Sequence, residues 1–430
     1  MIKNKPKIAV IGLGYVGLPL AIEFAKQYDT VGFDIDPERI LQLKDSVDLT
    51  LEIDSRELKS TTLTFTSKTE EIKNCDVYII SVPTPVDKFN NPDLSILKSA
   101  SSLVGEIISR DNIVIYESTV YPGATEEICV PILESASGLR YNFDFYCGYS
   151  PERINPGDKE RSLTSITKIT SGSNPEVANL IDSLYSTILT GASTHLASSI
   201  SVAEAAKVIE NIQRDVNIAL INELSMIFKK LNIDTDEVLK AASTKWNFNY
   251  FTPGLVGGHC IGIDPYYLTH KAIELGYNPE MILAGRKINE NMPSFIADTT
   301  LAEIAKIGIN PTKAKIAILG LTFKEDCPDL RNTKVVNIYS KLKKFTSEIV
   351  ICDPYADSKE AKERLDVELE DYEKINNMDV IILAVSHKQY HSIPLSYWKY
   401  LLSPNGLIID IKSIYSTEYF NDTDFKHWRL

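Results

Sequence analysis

The sequence predicts an α/β protein in which two doubly wound parallel-sheet domains are joined by a long central helix and a helical middle domain. Three observations carry this expectation. Short β-branched runs alternate with helical patterns through the first half of the chain. Apolar residues then recur at helical spacing over about thirty residues beyond Ser199. The strand and helix alternation resumes at Lys315. At 430 residues the chain can hold two or three globular units, and we divide it at 1–198, 199–307 and 308–430. Apolar residues at 44% and charged residues at 24% suit a chain that folds throughout. With 45 basic against 58 acidic side chains the net charge is −13, which excludes a global nucleic-acid footprint and requires any anionic ligand to be caught locally.

Lys7–Ile11, Thr30–Phe33, Cys75–Val82 and Asn112–Glu117 read as the first strands. Lys3, Lys5 and Lys7 before an apolar stretch mimic a secretory signal. Three glycines and Pro19 inside that stretch, with Glu23 and Lys26 continuing an amphipathic pattern, instead read as strand, turn and helix. Trp246–Ile263, another uncharged run, is broken by Pro253 and glycines, so no membrane span is expected there. The central helix runs through Val202, Ala206, Ile209, Ile212, Val216, Leu220, Leu224, Ile227 and Leu231. Ser201 and Glu204 read as a capping box at its start, and Asn232 as its stop. A further helical stretch is expected from about Asp234 to Ile307. The closing domain echoes the first: Gly12 and Gly320 end a first strand, Asp34 and Asp353 a second, and Asp76-Val77 and Asp379-Val380 open a third.

Gly12-Leu13-Gly14-Tyr15-Val16-Gly17 follows a strand and opens a helix, and Asp34 ends the next strand. That context makes a dinucleotide-binding, Rossmann-like unit of the glycine pattern. Gly12 permits the turn, Gly14 lets backbone amides approach a pyrophosphate, and Gly17 lets helix pack on strand. Asp34 would accept from a ribose diol and so favours NAD over NADP; Arg39 nearby could also neutralise a 2′-phosphate. Pro83 and Thr84, in Ser81–Pro85 at the end of a later strand, are expected to wall the cofactor.

The six cysteines form no CxxC pair and no zinc-spaced cluster, so reduced thiols and no metal site are expected. Cys75, Cys129, Cys147 and Cys352 read as small buried hydrophobes. Cys260 differs, because Gly254, Gly257, Gly258 and Gly262 surround it and Asp264 follows four positions later. A free thiol is only about 3% thiolate at neutral pH, so a nucleophile here needs a base or cations. Lys207, Asn211 and Arg214 lie within one angular sector of the central helix, either as such partners or as a solvated polar stripe.

The set GLGYVGLP (12–19), SVPTP (81–85), ESTVYPG (117–123), YSPERINPGD (149–158), Lys207/Asn211, GGHCIGIDPYY (257–267) and GLTFKED (320–326) resembles the UDP-glucose/GDP-mannose dehydrogenase family over nearly the whole chain. Within it the chain resembles the members acting on UDP-N-acetylhexosamines, because HCIGID stands where a CFPKD-like run is typical of the UDP-glucose enzymes. The resemblance implies a four-electron oxidation of a primary alcohol to a carboxylate with two NAD, with Cys260 carrying a thiohemiacetal and then a thioester. It implies that Lys207 and Asn211 stabilise oxyanions, that Asp264 acts with water as general base, that Thr119 holds that water and lies by the cofactor, and that Glu152 assists hydrolysis. Substrate contacts are implied for Glu152, Arg153, Lys207, Asn211, Arg214, Tyr250, Gly257, Phe323 near the uracil and Lys324 near the pyrophosphate. Arg331 would face the cofactor or the substrate phosphate. Ile263 replaces the lysine of the CFPKD-like run, leaving Lys245 or Arg214 to compensate, and Trp246–Phe251 would shape the sugar pocket or pack in the core. UDP-N-acetylglucosamine is the first expectation for the substrate and its galacto epimer the second, with a cytoplasmic homodimer paired across the central helix. His259 and His387 carry no assigned role.

Overall fold

The structure, a computed structural model, describes residues 5–50, 52–87, 89–152, 163–258 and 260–430. The chain divides into two compact units, Met1–Glu210 with Tyr266–Tyr277 and Asn211–Pro265 with Asn278–Leu430.

In the first unit β1 (Ile8–Ile11), β2 (Thr30–Phe33), β3 (Thr64–Thr66), β4 (Val77–Ile80), β5 (Ile113–Tyr116) and β6 (Tyr146–Tyr149) form one sheet in the order β3-β2-β1-β4-β5-β6. Every pairing is parallel, with Ile8 opposite Thr30 on one side and Val77 on the other. The order reverses at β1, so the loops after β1 and β4 flank a crevice at the carboxyl ends of the strands. β1, β2, β4 and β5 are buried at every position, as expected for a sheet covered on both faces. A small parallel pair, β7 (Lys168–Thr170) and β8 (Thr194–Leu196), follows and was not legible as strand.

In the second unit β9 (Ile316–Leu319), β10 (Ile349–Cys352), β11 (Met378–Leu383), β12 (Leu402–Asp410) and β13 (Lys426–Arg429) form an all-parallel sheet in the order β10-β9-β11-β12-β13. The echo between the halves is physical. Gly12 and Gly320 both take positive φ, +91° and +98°, where an added Cβ would meet Val82 and Val385. Asp34 Oδ2 accepts from Leu13 N at 2.8 Å, as Asp353 Oδ2 accepts from Leu321 N at 2.6 Å. Asp76 and Asp379 accept from the backbone N–H of Lys7 and Lys315.

Asp353 is more heavily committed than its counterpart. Oδ2 also accepts from Thr322 N and lies 3.1 Å from His387 Nε2, while Oδ1 accepts from Tyr355 N and Ala356 N. Burial opposes the charge, but His387 and the backbone donors outweigh it and hold the carboxyl down at about 2. Because the folded value is depressed, this stabilisation is present above the unfolded pKa near 4 and is lost as pH falls toward 2. Asp353→Asn is expected to cost at least about 2 kcal/mol at neutral pH and to flatten stability across that acid window. Denaturant unfolding from pH 7 to pH 2 measures both.

The long helix runs Ile200–Leu231, and Asn232 ends it with φ +55°, while Ile233 N bonds Phe228 O. The capping-box expectation needs correction. Ser199 Oγ accepts from Val202 N, and Glu204 instead reaches across the first unit, its two oxygens accepting from Gly123 N at 2.6 Å and Thr125 N at 2.9 Å. Burial pushes that carboxyl up to about 7 against the pull of those donors. The expected helical stretch beyond Asp234 is three helices, Thr235–Ala242, Asp264–Glu274 and Glu280–Lys306. Among the described residues, 243–258 and 260–263 carry no helix or strand and separate the first two.

Candidate functional site

The glycine turn fits a dinucleotide. A Cβ on Gly17 would lie 1.9 Å from Gly12 O and 2.3 Å from Ser81 Oγ, so only glycine lets the helix Gly17–Ala25 start this close to the strand end. Nothing stands within 4 Å of a Cβ built on Gly14, which leaves the room a pyrophosphate requires beside Tyr15 and Val16. Gly17→Ala is expected to weaken NAD binding at least about tenfold, or 1.4 kcal/mol, as measured by calorimetry. Asp34 spends one oxygen on Leu13 N and the other on Asp36 N. Lone pairs remain for a diol. Arg39 donates from Nε and Nη2 to Leu13 O and pairs with buried Asp48 at 2.7 Å, so its charge secures the turn from behind. Burial raises Asp48, yet Arg39, Thr50 and backbone donors together hold it below the usual carboxylate range.

The loops after β4 and β5 are tied together. Thr84 Oγ1 donates to Thr119 O at 2.7 Å and Ser118 Oγ to Val82 O at 2.6 Å, while Tyr267 Oη donates to Thr84 O at 2.5 Å. Pro83 projects from this latch, exposed. Tyr267, missed by sequence reasoning, is buried in the GGHCIGIDPYY run and acts at a distance of 183 residues from its partner.

Glu152 follows β6 and is buried. Lys207 Nζ lies 3.0 Å from Glu152 O and 3.5 Å from Glu152 Oε2, and Oε1 has no hydrogen-bond partner among the described residues. Behind this turn sits a cluster that sequence reasoning did not find. Lys168 Nζ is 2.6 Å from Glu117 Oε2 and 3.0 Å from Pro151 O, and Tyr185 Oη is 2.5 Å from Glu117 Oε1. Burial pushes Glu117 upward against the pull of Lys168 and Tyr185. A lysine inside the β-branched run ITKIT was the available signal.

In the second unit Asn211 Nδ2 donates to Asp264 Oδ2 at 2.6 Å, both residues buried. Asp264 opens the helix Asp264–Glu274, and its N–H bonds Cys260 O at 2.8 Å, so the thiol stands one turn before the carboxylate. Cys260 is partly exposed, whereas Cys75, Cys129, Cys147, Cys327 and Cys352 are buried. Burial pushes the Cys75 and Cys352 thiols up to about 12 and the Cys129 thiol to about 11. Of the sector on the long helix, Lys207 and Asn211 are buried but Arg214 is exposed, so the solvated-stripe alternative holds only for Arg214.

Phe323 packs on the cysteine loop, where a Cβ on Gly258 would lie 2.7 Å from its ring and one on Gly257 2.8 Å from Asn332 O. Lys324, Lys334 and Lys412 line one cleft with Gly257, Phe323 and Glu325; Lys334 is paired with Glu290 at 2.8 Å, which leaves Lys324 and Lys412 as the cations for a phosphate, and Lys334 and Lys412 escaped sequence reasoning. Arg331 folds back onto Asp329, with Nε 2.9 Å from its carboxylate. Tyr250 is half exposed, and Trp246 at 97% exposure is excluded from core packing. His387 supports Asp353. Arg153 and His259 lie outside the described residues. Among the described residues no group of side chains could hold a metal ion, and no helix is long and apolar enough to cross a membrane.

Three models of the UDP-glucose/GDP-mannose dehydrogenase family match the chain: the NAD binding domain over residues 6–189, the central domain over 201–291 and the UDP binding domain over 317–417. Protein CapL of Staphylococcus aureus is 53% identical over 98% of this chain and 99% of its own. A UDP-N-acetyl-D-glucosamine 6-dehydrogenase of Pseudomonas aeruginosa is 52% identical over 99% of each. The solved structure of a UDP-D-ManNAc dehydrogenase from Pyrococcus horikoshii, 34% identical, superposes with a TM-score of 0.88 and covers 98% of each chain.

Proposed function

The chain belongs to the UDP-glucose/GDP-mannose dehydrogenase family, and from that premise we propose that it oxidises the C6 hydroxymethyl of UDP-N-acetylglucosamine to UDP-N-acetylglucosaminuronic acid for a surface polysaccharide. The observation that carries the reading is the joined trio in the second unit: partly exposed Cys260, Asp264 bonded to its carbonyl at 2.8 Å, and Asn211 on Asp264 at 2.6 Å. The Pseudomonas aeruginosa relative supports the choice of sugar.

NAD, held by Gly12, Gly14, Gly17 and Asp34, supplies the hydride acceptor for each of two oxidations. Asp264, through a water that Thr119 helps to hold, takes the proton of the C6 hydroxyl as the aldehyde forms. The Cys260 sulfur bonds to the aldehyde carbon, and Lys207 and Asn211 donate to the oxygen of the resulting thiohemiacetal, a stabilisation commonly about 3 kcal/mol per donor. As the thiohemiacetal hydroxyl gives its proton to the same water at Asp264, loss of the second hydride from that carbon leaves a thioester. Glu152 assists the entry of water, the C–S bond breaks, and the carboxylate leaves with the thiol restored. Lys324 and Phe323 serve the UDP moiety.

We place the functional division at 1–198, 199–307 and 308–430 and assign the enzyme to the cytoplasm as a homodimer. Val202, Ile209, Leu220, Ile227 and Leu231, each roughly half exposed, fall on one stripe of the long helix and support pairing there. A stable monomer by sedimentation removes the dimer. Incubation with NAD and a panel of UDP-hexoses, followed by product mass, tests the reaction. Conversion of CH₂OH to COOH with the N-acetylgluco substrate preferred is expected; preference for the galacto epimer or UDP-glucose moves the substrate, and a product that stops at the aldehyde overturns the chemistry.

A further inference from the structure

The cysteine loop has no helix or strand to satisfy its backbone between Phe251 and Gly258, so its polar groups must find partners elsewhere. Two asparagines provide them. Asn222, fully buried on the long helix, grips Gly254 from both sides: Gly254 N donates to Asn222 Oδ1 at 2.8 Å, and Asn222 Nδ2 donates to Gly254 O at 3.0 Å. Further along the loop, Asn332 Nδ2 donates to Gly258 O at 3.1 Å, two residues before the thiol.

The orientation of the Asn222 amide is not left to chance. Its Nδ2 also donates to Asn289 Oδ1 at 2.8 Å. Asn289 must present that oxygen because its own Nδ2 faces Asp215 O at 2.9 Å and Asp215 Oδ1 at 2.7 Å. Asp215 is buried and paired with Arg286 Nη1 at 2.6 Å. An ionised carboxylate only accepts, so Asp215 fixes Asn289, Asn289 fixes Asn222, and Asn222 then offers one acceptor and one donor that match a single peptide group. Gly254 itself takes φ +153°, a conformation that L side chains rarely adopt. The clamp therefore holds a backbone shape that the loop has no local means to keep.

We propose that Asn222, oriented by Asn289 and Asp215, and Asn332 are positioning residues that anchor the cysteine loop on either side of its glycines, so that Cys260 captures the aldehyde before it departs. The proposal rests on the two-step oxidation proposed above. Neither residue touches the reacting atoms; each acts through the backbone of Gly254 or Gly258.

The test compares wild type with Asn222→Ala and with Asn332→Gly, which deletes the side-chain donor yet accepts the φ of +52° found at position 332. Asn332 is exposed, so its variant keeps the test open if Asn222→Ala fails to fold. Wild type should form two NADH per sugar consumed, with no aldehyde trapped by an added hydrazide. If wild type itself yields one NADH and aldehyde, the two-step oxidation is wrong. With wild type at two, each variant should fall toward one, release trappable aldehyde, and lose acid formation by about tenfold or more, in line with the cost of misplacing a reacting group.

A second readout needs neither NAD nor sugar. The other five cysteines are buried, so iodoacetamide in native buffer reads Cys260. Single-adduct formation should speed up severalfold in the variants while the second adduct stays slow. General loosening of the fold would raise all adducts together and overturn the proposal. Unchanged Cys260 alkylation with undiminished NADH yield would overturn it as well.

Discussion

Cys260→Ala is expected to abolish carboxylate formation, lowering its rate by at least about a thousandfold, because a thiol can both add to an aldehyde and later leave and the other five thiols are buried. Asp264, Asn211 and Lys207 remain, so one round of hydride removal should persist and deliver aldehyde. Cys260→Ser sharpens the point: a hydroxyl is a weaker nucleophile and a poorer leaving group, and acid should still fail to appear. Product mass and NADH yield measure the outcome. Acid formation by Cys260→Ala at a rate near that of the parent sinks the covalent route, leaving a hydrated aldehyde as the species oxidised.

Lys168→Met should cost about 3–5 kcal/mol of stability, the usual consequence of stripping the partner from a buried ion. Lys168 and Glu117 have almost no exposed surface, 3% and 0% of their side chains, and sit 2.6 Å apart. Without the ammonium, Glu117 keeps Tyr185 as its side-chain partner among the described residues, and burial already pushes its carboxyl toward the protonated form. Lys168→Met with Glu117→Gln should recover most of the loss, since the pair removed together leaves no orphaned charge. Urea unfolding of the two singles and the double closes the cycle. Additive losses would show that the pair does not interact as drawn. Lys168 also donates to the carbonyls of Ser150 and Pro151, so Lys168→Met should depress turnover through Glu152 beyond its effect on stability.

What was legible in the sequence was whatever backbone geometry forces on residue type. The turn at Gly12–Gly17 admits only glycine at its first and last positions, and Gly320 repeats the first of these, so strand, turn and domain echo could be read directly. Cys260 stood out for the same reason, amid glycines that discard side chains. Glu204 departs from the capping-box expectation because a serine three residues before a glutamate looks the same whether the carboxylate turns back to its own helix or, as here, reaches Gly123 81 positions away. Lys168 and Glu117 are separated by 51 residues, and each alone resembles an ordinary surface charge. The helical stretch expected from Asp234 to Ile307 runs through 243–258, where Gly254, Gly257 and Gly258 argue otherwise; the partners that hold this segment, Asn222 and Asn332, are set by tertiary packing and have no local pattern.

A carboxylate offers about four acceptor positions. Asp34 fills two with amide N–H groups, while Asp353 receives four amides and the imidazole of His387. The two similar sheets are thereby sorted by saturation: ribose hydroxyls arriving at the amino-terminal lobe find vacancies, and the same hydroxyls at the carboxyl-terminal lobe find none. Four backbone amides already occupy the acceptor positions of Asp353, and His387 crowds the same carboxylate, so a coenzyme offered to both lobes would lodge only at the first.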